Sequence, residues 1–390
     1  MNTKLADLIR QYIRKRGPVS FSWFMQQALY HPEHGYYSSG RAAIGRKGDY
    51  FTNISVGPIF GRLWCAQFAE IWQRMSQSED HRGTNSFVVV EQGAHDGRFA
   101  RDVLEAAQTR WPEFFADLRY RIVEPFPFWQ KRQQEMLDSF RDKVEWREAI
   151  EPFTGIHFSN ELLDALPIDL PGKAVDLKGD DLVLIDQVEA AYPGLAGAEK
   201  TGPPSRVFNQ AALDWIDNVA RNLDRGYVLL VDYGDVCDHF QPNIQVRARH
   251  RKFASPFEQV GYADITAHVN WKHVAARARQ NGLRLAGFTD QHHFLTGIIS
   301  EWPDLVPAHA LNLTDLTGQV SRSAADPKGQ RALQTLLHPE MLGRSFQVLA
   351  LKKNVDRATP SPSVVGPALA KSVGVGAVLA GFKFAQASNL

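Results

Sequence analysis

Phe87-Val88-Val89-Val90-Glu91-Gln92-Gly93-Ala94-His95-Asp96-Gly97 reads as a strand, a sharp turn and the opening of a helix. Four consecutive apolar residues without alternation suit a strand covered on both faces, as in a parallel sheet. Gly93 and Gly97 let the backbone bend and approach a ligand where a Cβ would collide. At the carboxyl edge of an open parallel sheet, such a turn is where a nucleotide-like cofactor binds. The glycine spacing selects among cofactors. A dinucleotide fold needs G-x-G-x-x-G to bring a pyrophosphate onto helix amides, and no glycine stands at 95 or 98. Glu91, just before the turn, would repel a pyrophosphate and favours a cationic sulfonium ligand or its amino group.

Outward from this turn, strands and helices alternate. Tyr120-Arg121-Ile122-Val123, Gly155-Ile156-His157-Phe158 and Tyr227-Val228-Leu229-Leu230-Val231 read as further strands, with helices from Phe99 and near Trp129–Leu137. This grammar implies an α/β fold with an open, doubly wound sheet. Glu124 closes the second strand, where a carboxylate accepts both ribose hydroxyls of an adenosine moiety. Asn160 and Glu161 follow the next strand and are expected to face the cofactor. Asp164, three residues beyond Glu161, shares its face on a helix. Ile168–Ala174 and Asp181–Val188 look like an inserted β-ribbon, and Leu283–Phe288 and Ser345–Leu351 supply later strands.

Upstream, Leu5, Leu8, Ile9, Tyr12 and Ile13 mark an amphipathic helix, and Ser20 caps a second. Ile59, Phe60, Leu63, Trp64, Phe68, Ile71, Trp72 and Met75 give a long third helix an apolar stripe. The expected organisation is a helical N-terminal extension and lid over 1–80, a Rossmann-like domain over 81–354 with an insertion near 168–210, and a disordered tail over 355–390. Of 390 residues, 44% are hydrophobic and 22% charged, with a net charge of +1. That balance gives no global field for nucleic acid or an anionic membrane. The two cysteines, Cys65 and Cys237, do not make a disulfide framework, and no apolar run follows Met1 as in a secretory signal. A bacterial cytoplasm is therefore expected ahead of a mitochondrial matrix, and a homodimer is admissible. No Cys/His cluster has zinc spacing.

Several segments together resemble the family of mitochondrial complex I assembly methyltransferases and their bacterial relatives. They are Ala28-Leu29-Tyr30-His31-Pro32 with Gly35-Tyr36-Tyr37, Gly48-Asp49-Tyr50-Phe51-Thr52, Phe60-Gly61, Glu91 to Gly97, and Val123-Glu124. They continue with Asn160-Glu161-Leu162-Leu163-Asp164-Ala165-Leu166-Pro167, Asp232-Tyr233-Gly234, Ala263 to Val269, and Phe346-Gln347-Val348-Leu349. The resemblance implies a Rossmann-like class I methyltransferase sheet, S-adenosylmethionine as cofactor, and protein arginine methylation in the mitochondrial member. Cofactor binding is then expected from Glu91, Gly93, Gly97, Glu124 and Asn160, with Gly48, Asp49 and Thr52, together with Gly35-Tyr36-Tyr37, forming a lid over the cofactor. With arginine as acceptor, Glu161 or Asp164 is expected to hold the guanidinium.

Two departures stand out. His95 occupies a position usually glycine in that family, and Asn53 to Pro58 contains none of the acidic residues usual before the Phe-Gly pair. His95 keeps open a rival reading, a scaffold that retains the fold without turnover. A nicotinamide-dependent oxidoreductase is opposed by the glycine spacing.

Overall fold

The structure, a computed structural model, describes residues 3–42, 52–76, 87–186, 209–237, 240–306, 327–355, 378–385 and 390. Gly48 and Asp49, expected in a lid, lie outside the described residues.

Helices α1 (Lys4–Arg16), α2 (Phe21–Tyr30) and α3 (Ile59–Ser76) come first. Alternation follows: β1 (Phe87–Gln92), α4 (Arg98–Arg110), α5 (Pro112–Asp117), β2 (Leu118–Val123), α6 (Pro127–Met136), β3 (Val144–Arg147) and β4 (Phe153–Asn160). Next are β5 (Lys173–Lys178), β6 (Asp181–Asp186), α7 (Gln210–Asn222) and β7 (Leu223–Asp235). Four short strands follow: β8 (Gln245–Ala248), β9 (Arg251–Phe253), β10 (Asp264–Thr266) and β11 (Val269–Asn270). The last elements are α8 (Trp271–Gln280), β12 (Arg284–Asp290), α9 (Gln291–Glu301), α10 (Pro327–Leu337) and β13 (Phe346–Lys353).

The chain divides into two compact units. One comprises 52–161, 217–233 and 275–390. Its sheet runs β12-β13-β7-β4-β1-β2-β3. The pairs β7–β4, β4–β1, β1–β2 and β2–β3 are parallel, whereas β13 runs antiparallel to both neighbours. This is the Rossmann-like sheet expected from the alternation. Strand β1 is buried through Glu91, as its unbroken apolar run requires. Along α3 and α4, apolar residues recur at three and four positions, and both helices bury them in the core. Phe99, stacked on Phe158 of β4 at 4.5 Å, ties α4 to the sheet. Each large side chain so buried contributes about 1.5–3 kcal/mol.

Two glycines hold the sheet's centre in register. Gly155 of β4 faces Val88 of β1 on one side and Gly226 of β7 on the other. Both have φ of 141°, and an added Cβ on Gly155 would strike the Val88 carbonyl oxygen, one on Gly226 the Gly155 carbonyl oxygen. Neither site accepts a side chain without moving a neighbouring strand.

The other unit comprises 1–51, 162–216 and 234–274. The Thr3 hydroxyl caps α1 by accepting from the Ala6 amide, and Ser20 caps α2 by accepting from Trp23, as its sequence position predicts. Gly35 to Tyr37 folds back on α2, with the amides of Tyr36 and Tyr37 donating to the carbonyls of Ala28 and Leu29. The ribbon β5–β6 is antiparallel, and Val175 of β5 bridges to Val19.

Three local expectations need correction. The first ribbon strand is Lys173–Lys178, not Ile168–Ala174, because the chain turns through Pro171-Gly172 before it extends. Residues 161–167 form turns, not a helix, so Asp164 does not share a helical face with Glu161. Finally, 378–385 is not a disordered piece of tail. Leu379, Ala380 and Phe382 are buried in the core, and Phe382 lies against Phe294 of α9. Two buried polar residues of α3 receive this segment: Glu70 accepts from the Ala380 amide and Gln67 from the Gly381 amide. Its Gly and Ala content suggests disorder by composition, but small residues are what a tight backbone approach to two helices needs. Among the described residues, no helix is long and apolar enough to cross a membrane.

Gly155→Ala is expected to lower unfolding free energy by about 2–3 kcal/mol through backbone strain and strand displacement. Urea denaturation measures it, and a loss below about 0.5 kcal/mol, the scale of ordinary surface substitutions, would remove the pair from its register-setting role.

Candidate functional site

Register brings the site together. Gln92 pairs with Val123 on β2 and with Ser159 on β4, so three neighbouring parallel strands end level. The next residues along the chain are Gly93, Glu124 and Asn160, and all belong to one compact unit. The turn after β1 is strongly bent: Gly93 has φ 78°, His95 φ 47° and Gly97 φ 84°. Gly97 then caps α4 in a left-handed conformation, which a residue with a Cβ adopts only under strain.

Glu91 is 2% exposed and accepts a 2.7 Å hydrogen bond from the Tyr120 hydroxyl. Burial pushes its carboxyl up to about 8, against the opposing pull of that bond. Glu124 is also buried, and burial raises its carboxyl to about 7. Its Oε1 accepts from the Phe126 amide at 3.0 Å and its Oε2 from Gln133 Nε2 at 3.1 Å. Two desolvated carboxyls on adjacent strands suit a ligand that brings positive charge and hydroxyl donors. The donor set therefore fits an amino acid–adenosine cofactor.

The imidazole of His95 is occupied within its own neighbourhood. Its ring lies 4.3 Å from that of Trp129 on α6, and Nδ1 is 3.6 Å from Asp96. Burial works against ionisation of Asp96, yet hydrogen bonds to His95 and Arg98 hold its carboxyl well below the usual range. On β4, His157 is buried and lies 3.0 Å from Gln92 Oε1; burial lowers it to about 3, so it is neutral and unsuited to proton transfer near neutrality.

At the β4 tip, Asn160 Nδ2 donates to Glu161 Oε1 at 2.9 Å. Asn53 contributes twice: its amide donates to Glu161 Oε1 at 3.2 Å and its Nδ2 to Asn160 Oδ1 at 3.0 Å. Gln291 Nε2 in turn donates to Asn53 Oδ1 at 2.9 Å. Glu161 has a left-handed φ of 54°, and its amide donates to the Val231 carbonyl of β7. A non-glycine residue in that region costs about 1–3 kcal/mol and persists where its surroundings dictate it. Thr52 is buried and exchanges hydrogen bonds with Ser55.

Glu91, Gly93, Gly97, Glu124, Asn160, Glu161 and Thr52 thus belong to one unit, whereas Asp164 belongs to the other. There Asp164 is buried, and its carbonyl accepts from the Ala267 amide. Sequence reasoning missed Tyr120, Gln133, Asn53 and Gln291. Tyr120 offered a signal, since a hydroxyl on a buried strand needs an acceptor.

Residues 63–289 match the family model described as "Putative S-adenosyl-L-methionine-dependent methyltransferase". The chain is 26% identical to the Drosophila melanogaster protein arginine methyltransferase NDUFAF7 homolog, mitochondrial, over 89% of this chain and 84% of that one. Zebrafish (Danio rerio) NDUFAF7, also named a protein arginine methyltransferase, is 23% identical over 93% of this chain and 92% of its own. A crystal structure from Burkholderia thailandensis, bound to S-adenosyl-homocysteine, superposes with TM-score 0.74 at 26% identity, covering 91% of this chain and 93% of that one. With the buried acids, the bent turn and the level strand tips already in view, the match over more than half its length settles the assignment: this chain belongs to the S-adenosylmethionine-dependent methyltransferase family that includes the NDUFAF7 proteins and their bacterial relatives.

Proposed function

We propose that the chain methylates arginine side chains of a protein, with Glu161 holding the acceptor guanidinium. The carrying observation is the Glu161 carboxylate one residue past the β4 tip, kept there by Asn53 and Asn160 despite its left-handed backbone. The names of the fly and zebrafish relatives support the acceptor class.

S-adenosylmethionine supplies an electrophilic methyl on a sulfonium. The residues mainly align and enclose the reactants. Glu91 faces positive charge of the cofactor, Glu124 accepts from the ribose hydroxyls, and Gly93 and Gly97 admit the ligand close to the turn. Asn160 orients Glu161 next to it. An ionised Glu161 pairs with the guanidinium in two parallel hydrogen bonds and presents one nitrogen toward the methyl. Asp164 belongs to the other unit and is given no part in this reading. The buried thiol of Cys65 is in keeping with a reducing, cytoplasmic setting.

Lysate incubated with the enzyme and labelled S-adenosylmethionine should yield labelled protein that releases methylarginine on hydrolysis. Label confined to small molecules would overturn the acceptor assignment. Glu161→Gln should cut turnover about 30-fold, the loss of about 2 kcal/mol expected for a charge-assisted contact, while cofactor affinity measured by calorimetry stays near wild type. Full turnover in that variant would remove Glu161 from the reaction.

Cofactor binding should also release protons. The Glu91 carboxyl, near 8 when empty, is largely protonated at pH 7, and a cationic ligand lowers it, so binding expels a proton and tightens as pH rises from about 6 to about 8. Calorimetry in two buffers of different ionisation enthalpy reads this directly, with a smaller release in Glu91→Gln. Identical enthalpies for the wild-type protein in both buffers would contradict it.

A further inference from the structure

Helix α6 is polar along most of its length, yet it buries two side chains, Trp129 and Gln133, four residues apart and so on one face. Gln133 is fully buried. Its carboxamide makes three contacts, to three separate parts of the site. Nε2 donates to the His95 carbonyl of the turn at 2.8 Å and to Glu124 Oε2 at the β2 tip at 3.1 Å. Oε1 accepts from the indole Nε1 of Trp146 on β3 at 3.1 Å.

These partners allow one orientation of the amide. An indole N–H only donates, and a backbone carbonyl only accepts. The oxygen must therefore face Trp146 and the nitrogen must face His95 and Glu124; a flipped amide would set donor against donor and acceptor against acceptor. The neutral side chain also forms no ion pair with Glu124. A lysine or arginine in its place would form an ion pair with the carboxylate and compete with any ligand for it. Gln133 spends one donor on one Glu124 oxygen, and each carboxylate oxygen retains a further lone pair.

We propose that Gln133 is the positioning residue of the cofactor site: held by Trp146, it fixes the Glu124 carboxylate relative to the glycine turn so that the carboxylate meets the ribose hydroxyls. This rests on the reading of Glu124 as the ribose ligand, and it gives Gln133 no contact with the cofactor itself. The effect of Gln133 on affinity then passes through Glu124 and the ribose, not through general stability.

The test compares two ligands by calorimetry, S-adenosylhomocysteine and its analogue lacking both ribose hydroxyls. Gln133→Met keeps the volume and removes the hydrogen bonds. It should weaken S-adenosylhomocysteine about 10-fold, the scale of a lost hydrogen bond to a charged group, and leave the dideoxy analogue within about 2-fold of wild type. Equal weakening for both ligands, or none for either, overturns the proposal. Trp146→Phe leaves Gln133 in place but frees its amide to rotate. It should show the same ligand dependence at about 3-fold, and it carries the test if Gln133→Met does not fold. Glu124→Gln separates the two ideas. If that variant binds S-adenosylhomocysteine like wild type, the ribose assignment fails and the positioning role with it. If it loses affinity while Gln133→Met and Trp146→Phe do not, only the positioning role fails.

Discussion

The parallel pairing of β1 between β2 and β4 is the constraint from which the site follows. Because the three strands end level, the backbone delivers the glycine turn, Glu124 and Asn160 to one edge without any of them being neighbours in sequence. The level ending depends on how closely β4 sits between β1 and β7, which the bare Cα atoms of Gly155 and Gly226 permit. A shift of one residue would reverse every side chain of β4 between the sheet's faces. Asn160 would then point away from Asn53, and the anchoring of Glu161 would be lost.

The electrostatic character of the site follows from that geometry. Two carboxyls at neighbouring strand tips are withdrawn from water, and burial alone raises both toward neutrality. Hydrogen bonds from Tyr120, Phe126 and Gln133 offset part of this cost. The remainder is a standing preference for a ligand carrying positive charge and hydroxyl groups. His95 fits the same scheme. Its left-handed backbone is strained for a residue with a Cβ, but its carbonyl is held by Gln133 and its ring by Trp129. The departure from glycine is thus accommodated by α6.

Local chemistry made much of this legible. The unbroken apolar run before Glu91, the glycines of the turn and the acid closing the second strand each announced their place, because strand, turn and tip are properties of short stretches. The partners of those residues were not legible. Asn53 and Gln291 lie 107 and 131 positions from Asn160 by residue number and meet its network only through the fold. The misreading of 161–167 as helical has a physical cause. Leu162, Leu163 and Leu166 mimic helical spacing, but Glu161 turns left-handed and breaks the helix before it begins. The segment at 378–385 was misjudged because composition reports flexibility of an isolated chain, whereas Gln67 and Glu70, buried in α3 and hydrogen-bonded to each other, also accept from its backbone amides.

The position of β13 bears on how the protein is made. This strand is inserted between β12 and β7, and it pairs with β7 along its whole length, from Phe346 opposite Tyr233 to Lys353 opposite Gly226. Until the ribosome has passed residue 353, the apolar edge of β7 has no neighbour on that side, and more than a hundred residues separate the two strands in sequence. Closure over such a span is slow, and an uncapped apolar edge is a template for foreign strands.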